Sequence, residues 1–407
     1  MASVSFTYNG DYDPGNTVVL RQNALNYYDG PGGNHTLGPF FNDRYIMNDD
    51  GVYGIYGTYF IDSQRFDGDP ADQSNKIMTG SEYSISLDLS DNTGFLYITG
   101  SNFGDILRAG SGADTLNGGG GNDILDGGAG ADIFDGGTGI NTITYERSSE
   151  AVVVVLSDVG HFGDAEGDTY SNIQNITGSS FNDFLQGDDG NNALRGNGGN
   201  DALLGMGGND RLVISGNATL TEGMGAPMLD GGDGKDSLFF VAGELDFAYV
   251  ELSKGSIGNI EQIYVRGGVH IDMSAVTEGQ SVTSQSTLGH HAEILGTSGA
   301  DRITAGKGGD AIDGGAGGDK LFAGSSSDTF HYQAGFGRDN VYGFDVNADH
   351  IAVHIAGATG ATLKEFHNGQ DTIVTFAGVE GTNKIILHDV TVAQIEAGPS
   401  DLFTFGA

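Results

Sequence analysis

Carboxylates at a fixed spacing are the residues of this sequence that could do chemistry. From Gly100 the chain reads GSNFGDILR, AGSGADTLN, GGGGNDILD, GGAGADIFD and GGTGINTIT, five nonapeptides in one register. A second block opens at Gly178 with GSSFNDFLQ, GDDGNNALR, GNGGNDALL and GMGGNDRLV; GGDGKDSLF stands alone from Gly231. A third opens at Gly296 with GTSGADRIT, AGKGGDAID, GGAGGDKLF and AGSSSDTFH. Position six of the 14 copies is acidic or an amide throughout: Asp105, Asp114, Asp123, Asp132, Asn141, Asp183, Asn192, Asp201, Asp210, Asp236, Asp301, Asp310, Asp319 and Asp328. Position eight is apolar throughout, from Leu107 to Phe330. A fixed period of this kind marks a repeat architecture.

The chemistry follows from how such a period must fold. Positions one to six form a turn, because glycine takes positive φ and lets backbones approach closely. Positions seven to nine are too few for a helical turn and suit a short strand with one side chain inward. Two turns and two strands make a coil of about 18 residues, so carboxylates nine apart fall on opposite edges and those about 18 apart stack on one edge. Asp105 is expected over Asp123 and Asn141, Asp114 over Asp132, Asp183 over Asp201, Asn192 over Asp210, Asp301 over Asp319, and Asp310 over Asp328. A column of like charges destabilises itself unless a hard cation with oxygen ligands lies in it. Ca²⁺ accepts irregular mixtures of carboxylates and carbonyls, whereas Mg²⁺ demands near-octahedral geometry and keeps its waters.

These residues resemble the RTX, or hemolysin-type calcium-binding, family and its GGxGxDxUx repeat. The resemblance implies a parallel β-roll with each ion between turns of alternate repeats. The first turn would give its aspartate and the carbonyls of positions two and four; the second its aspartate and the carbonyls of positions one and three. Carried onto this chain, one site is Gly110, Gly112 and Asp114 with Gly127, Ala129 and Asp132, and another is Gly119, Gly121 and Asp123 with Gly136, Thr138 and Asn141. Gly118 and Gly120 would face the Asp105 turn. In the second block the same assignment takes Gly196 and Gly198 with Asp201, and Gly190 with Gly205, Gly207 and Asp210. In the third it takes Thr297, Gly299 and Asp301 with Gly314, Ala316 and Asp319, and Gly306, Gly308 and Asp310 with Ala323, Ser325 and Asp328. Phe103 and Phe181 replace the position-four glycine and mark caps with weaker sites; Asn141 and Asn192 lack charge; Asp236 has no copy 18 residues upstream. Pairing alternate copies gives about seven Ca²⁺ ions.

The elements that must position these turns are all β: a parallel β-roll or β-solenoid with an N-terminal small β domain and a C-terminal β cap. The expected division is residues 1–98 for the N-terminal β domain, 99–177 for the first block and its spacer, 178–295 for the second block and its spacer, 296–331 for the third block, and 332–407 for the cap and export-signal region. Both spacers carry β-branched runs punctuated by glycine, as at Val152–Leu156, and read as strands continuing the solenoid. The segment around Gly216–Met228 breaks the phase of nine. The last residues resemble the cap of RTX proteins, which implies an uncleaved C-terminal signal for type I secretion. Asp345, Asn347 and Asp349 half-resemble an EF-hand loop, but no glutamate stands at its twelfth position, and a turn is expected. Residues 1–98 hold 10 of the 16 tyrosines, among them Tyr27, Tyr28, Tyr53, Tyr56 and Tyr59, either as a core or as a glycan- or partner-binding platform. The acidic stretch Asp67 to Asp72 reads as a solvated loop, with a further cation as the alternative.

Composition narrows the function. The chain of 407 residues carries 17 Lys+Arg against 55 Asp+Glu, a net charge of −38. That argues against phosphate-neutralising nucleic-acid binding and against docking on anionic lipid. The 38% of hydrophobic residues can build a core, zero cysteines exclude a disulfide framework or thiolate site, and no apolar run is long enough for a membrane span. The first residues show neither a basic nor an apolar leader region, which alone suggests a cytosolic chain; export through the C-terminus would replace that expectation with a secreted one. No HExxH, GxSxG, P-loop or dinucleotide fingerprint occurs. His290, His291, His350 and His354 read as surface histidines. The expectation is a secreted calcium-binding protein that folds on Ca²⁺ and acts without catalysis in adhesion, a surface layer or polysaccharide association, with glycans or further copies of itself as partners. The alternative is a secreted carbohydrate-active enzyme whose site lies in the N-terminal domain.

Overall fold

The computed structural model describes residues 84–90, 92–221, 227–243, 247–379 and 383–406, and the backbone of short strands within residues 5–79. The chain divides into two compact units, Met1–Leu194 and Arg195–Ala407.

In the first unit, positions seven to nine of the repeats are strands of three residues. Ile106–Arg108, Ile124–Asp126 and Thr142–Thr144 form one parallel ladder, and Thr115–Asn117 and Ile133–Asp135 form another. Leu107 lies opposite Leu125, and Leu116 opposite Phe134, so one coil is two nonapeptides. Position eight points inward: Leu107, Leu116, Leu125, Phe134 and Ile143 are at most 1% exposed. Each such side chain contributes about 1.5–3 kcal/mol by leaving water. Position seven points outward, which leaves Ile133 exposed. The spacer continues both ladders, Asn175–Thr177 against Thr142–Thr144 and Thr169–Ser171 against Ile133–Asp135. The roll also extends upstream of Gly100. Ile85–Asp88 pairs in parallel with Ile106–Arg108, Tyr97–Thr99 pairs with Thr115–Asn117, and Leu87, Leu89, Leu96 and Ile98 are buried.

The second unit repeats the arrangement. Ser237–Val241, Gln262–Arg266, Ser281–Gln285, Arg302–Thr304, Lys320–Phe322 and Arg338–Tyr342 follow one another in parallel register. A second ladder runs from Ala218–Leu220 through Ala248–Leu252, Val269–Asp272, Glu293–Leu295, Ala311–Asp313 and Thr329–Tyr332 to His350–Val353 and Phe403–Phe405. The second spacer is therefore solenoid as well. Its end is closed by an antiparallel hairpin: Ala361–Phe366 pairs with Asp371–Phe376, which pairs with Lys384–Leu387. The hairpin extends the first ladder, with Lys384–Leu387 in parallel on Arg338–Tyr342 and Ala361–Phe366 as its last strand. A short helix, Val392–Ala397, follows with a capping box formed by Thr391 and Gln394. The model thus has the all-β parallel β-roll fold. Among the described residues no helix is long and apolar enough to cross a membrane. The tyrosines at 27, 28, 53, 56 and 59, the acidic stretch 67–72 and residues 222–226 of the phase-breaking segment lie outside the residues whose side chains are described.

The inward column can be tested directly. Leu125→Ala should lower the unfolding free energy by about 2–5 kcal/mol at saturating Ca²⁺. Ile124→Thr, on the outward face, should change it by no more than about 0.5 kcal/mol. Denaturant midpoints measure both, and equal losses would contradict the inward assignment.

Candidate metal centres in the repeat turns

The ladders bring position-six residues of the first and third blocks together in the expected columns. The carboxylate Oδ1 of Asp123 accepts the backbone N–H of Asp105 at 2.8 Å, and that of Asp132 accepts the N–H of Asp114 at 2.7 Å. Asn141 Oδ1 accepts from Asp123 at 3.0 Å. In the third block Asp319 accepts from Asp301, and Asp328 from Asp310, both at 2.8 Å. These position-six side chains are thus stitched to the backbone one coil earlier, and all 14 position-six residues are buried. In the first unit Asp183 accepts from Val152 at 2.8 Å, and Asn192 accepts from Asp188 and donates to the Gln174 carbonyl.

The second carboxylate oxygen separates two kinds of turn. In closed turns it accepts the N–H of position two in its own repeat: Ser101 to Asp105, Gly110 to Asp114, Ser179 to Asp183, Thr297 to Asp301, Gly306 to Asp310 and Gly324 to Asp328. The first copy of each block adds a hydroxyl, from Ser101, Ser179 or Thr297, to the same carboxylate. In open turns position two has positive φ, at Gly119 (91°), Gly128 (82°), Gly232 (90°) and Gly315 (82°), and its N–H points elsewhere. Oδ2 of Asp123, Asp132, Asp236 and Asp319 is then buried with no hydrogen-bond partner among the described residues. A buried oxygen left in that state is costly.

Those oxygens fit a cation. Oδ2 of Asp123 lies over Gly118, where an added Cβ would strike both it and the Gly136 carbonyl of the next coil. The Asp301 carboxylate and the Gly314 carbonyl converge in the same way over Gly296, and the Asp210 carboxylate and the Gly231 carbonyl over Gly205. Asp132 and Asp319 crowd the Cβ positions of Gly127 and Gly314, as Asp201 crowds that of Gly196. A carboxylate and a position-one carbonyl from successive turns are therefore neighbours across space only glycine leaves open. The position-two carbonyls of Gly110, Gly119 and Thr297 accept the position-three N–H of Ala129, Thr138 and Ala316, and a carbonyl oxygen keeps a second lone pair for another partner. The remaining backbone positions, Gly112, Gly120, Gly121, Gly190, Gly198, Gly207, Gly299, Gly308, Ala323 and Ser325, lie in these same turns.

Three features of the columns lie outside the period of nine. Asp236 does have a stacking partner: its Oδ1 accepts the Asp210 N–H at 2.7 Å across 26 residues, because the inserted segment widens that coil. Leu212 and Leu238 keep the register across it. The columns also continue into the spacers and the cap. Asp168 accepts from Asp132, Asp339 from Asp319, Asp349 from Asp328, and Glu261 from Asp236. Each of these acids precedes by two an inward or strand residue, Tyr170, Val341, Ile351 and Ile263, so an acid-x-apolar pattern without glycine would have located them. The half EF-hand stretch is a turn: Asp345 N–H donates to Asp349, and Asp349 closes the column. His354 stacks on His331 with Nε2 and Nδ1 at 3.0 Å, and His291 lies 3.7 Å from Glu293.

Burial pushes the carboxyls of Asp114, Asp123 and Asp328 up to about 6. It pushes Asp168 up to about 7 and, with Asp168 beside it, Asp132 up to about 9. The adjacent pair Asp319 and Asp339 is raised by the same cause. A folded pKa above the unfolded value stabilises at low pH, and that contribution is lost as pH rises through the folded pKa. Metal-free protein should therefore lose stability between pH 5 and 8. A cation replaces the missing protons, so the gain in β signal by circular dichroism on adding Ca²⁺ should be larger at pH 8, where the metal-free chain is unfolded, than at pH 5, where protonated carboxyls partly stabilise it. Equal gains at both pH values would contradict this account.

Comparison with known proteins agrees with the turns. The RTX calcium-binding nonapeptide repeat matches in four copies, over residues 99–134, 108–143, 177–212 and 295–330. No curated protein matches the sequence. Among solved structures, the extracellular lipase LipA from Serratia marcescens is similar at 18% identity and a TM-score of 0.19, over 80% of this chain and 42% of the lipase, so the chain spans less than half that protein's length. The chain thus carries RTX calcium-binding nonapeptide repeats over these segments, folded as a parallel β-roll.

Proposed function

We propose that this is a secreted, non-enzymatic RTX protein that folds on extracellular Ca²⁺ and acts at the cell surface or in the matrix, in adhesion, a surface layer or polysaccharide association. The observation that carries the calcium-dependent part is the set of buried, unpartnered Oδ2 atoms of Asp123, Asp132, Asp236 and Asp319 in turns held open by positive φ. The ligands would be the position-six aspartates with backbone carbonyls of successive turns, about seven ions in all. The open turns would hold the tighter ions, and the closed first copies at Asp105, Asp183 and Asp301 the weaker ones.

The mechanism couples ligation to folding. Scarce cytosolic Ca²⁺ leaves the buried acids without a counter-charge, and the chain stays unfolded and competent for type I export. Extracellular modules of this ligand type have affinities of roughly 10⁻⁴–10⁻³ M. At ten times its dissociation constant each ion then stabilises the fold by about 1.4 kcal/mol. Several such sites suffice to decide the folding of a chain whose net stability is small.

Circular dichroism of the full chain with Ca²⁺ and with excess chelator tests the coupling: the β signal should appear only with Ca²⁺, and an unchanged spectrum would sink the switch. Gly127→Ala, which fills the space at the Asp132 carboxylate, should lower the Ca²⁺ stoichiometry by one while the remaining ions still fold the chain. Mass measurement across a Ca²⁺ titration separates self-assembly from a monomer that must bind glycan.

A further inference from the structure

The C-terminal hairpin holds a second kind of ligand set, made of nitrogen as well as oxygen. His367 lies in the turn His367–Gly369 after the strand Ala361–Phe366, Asp371 opens the strand Asp371–Phe376, and His388 follows Lys384–Leu387. The antiparallel pair Thr372 and Leu387 sets Asp371 beside His388. His367 Nδ1 is 2.5 Å from Asp371 Oδ2, and His388 Nδ1 is 3.1 Å from the same oxygen. The three ligand atoms lie within 4.8 Å of one another. We propose that His367, Asp371 and His388 form a transition-metal site of the class that takes Zn²⁺, separate from the calcium turns.

The surroundings orient each group for that role. Asp371 is buried; its Oδ1 accepts the Asp389 N–H at 3.0 Å, which leaves Oδ2 for the imidazoles. His388 lies flat on Tyr342, with ring centroids 4.3 Å apart and planes 2° apart. Its Nε2–H donates to Asn340 Oδ1 at 3.1 Å. An imidazole whose far nitrogen donates to an amide oxygen is the usual second support of a metal-bound histidine. With Nε2–H so committed, His388 Nδ1 faces the Asp371 oxygen, and either a proton or a metal ion joins the two. His367 and Asn368 both have positive φ, 48° and 59°, a backbone state that non-glycine residues rarely adopt and that turns the His367 ring back onto Asp371.

The donor set chooses the metal class. Ca²⁺ takes oxygen ligands, whereas two imidazoles and one carboxylate suit Zn²⁺, with a water or a partner's group completing a tetrahedron. His367 is exposed, so the fourth position faces solvent. The site is independent of the calcium-folding proposal, because its ligands are not repeat residues.

The test uses the full chain at saturating Ca²⁺, with Zn²⁺ titrated calorimetrically and Co²⁺ as a visible-absorption probe of tetrahedral coordination. One equivalent should bind. His367→Gln, an exposed change that leaves the hairpin core intact, and His388→Gln should each weaken that equivalent at least tenfold, with the Ca²⁺-dependent β signal unchanged. Asn340→Ala should weaken it by about 10–100-fold through the lost support of His388. Absence of binding by the parent chain, which would leave a protonated histidine–carboxylate pair, overturns the proposal. So does an isotherm that His367→Gln and His388→Gln leave unaltered, which would place the metal on another histidine pair such as His331 and His354.

Discussion

The interaction on which the rest of the structure depends is the hydrogen bond from a backbone N–H to the carboxylate one coil further on. It recurs from Asp105–Asp123 to Asp328–Asp349 and fixes the rise of each coil on its neighbour. It also forces a conflict. The bond needs the carboxylate at the buried edge of the roll, and burial opposes its charge, as the raised pKa values of Asp123 and Asp132 express. Inward leucines and phenylalanines stabilise the coils but cannot relieve that edge. Only a proton or a cation can, and the open turns leave room for the cation beside glycine.

Much of this was legible in the sequence, because the period of nine carries both facts that matter. Position eight specified the core, and position six specified the columns, including Asp114 over Asp132 and Asp310 over Asp328. The insertion before Gly231 hid the pairing of Asp210 with Asp236, since a search at constant spacing cannot see a coil that has been lengthened. Asp168, Asp339 and Asp349 were hidden for a different reason: they join the columns from turns that lack the glycine signature. Leu87 and Ile98 extend the core upstream of the first repeat, where alternating apolar residues alone do not distinguish a roll from a separate β domain.

The division into open and closed turns follows a position whose residue was not used: among turns with glycine at position two, those with alanine at position one are closed and those with glycine at position one are open. Gly110 and Gly128 are both position-two glycines, yet only Gly128 has positive φ and leaves its carboxylate oxygen unpartnered. Gly110 follows Ala109, whereas Gly128 follows Gly127. The histidine–aspartate cluster was missed because its members are joined by hairpin register rather than by spacing along the chain.

The direction of the stitching bond gives the roll a polarity. A column can begin on any residue that has an N–H, and it does so on Leu96, Val152, Gln280 and Ala292. It can end only on a side chain that accepts, as on Asp168, Gln174 and Asp349. The two ends of a repeat block are therefore under unequal constraint. New coils can be grafted onto the leading end with little regard to the residue they meet. The trailing end must keep its terminal acceptor, so these blocks can lengthen and diverge from the front while the last acceptor of each column stays in place.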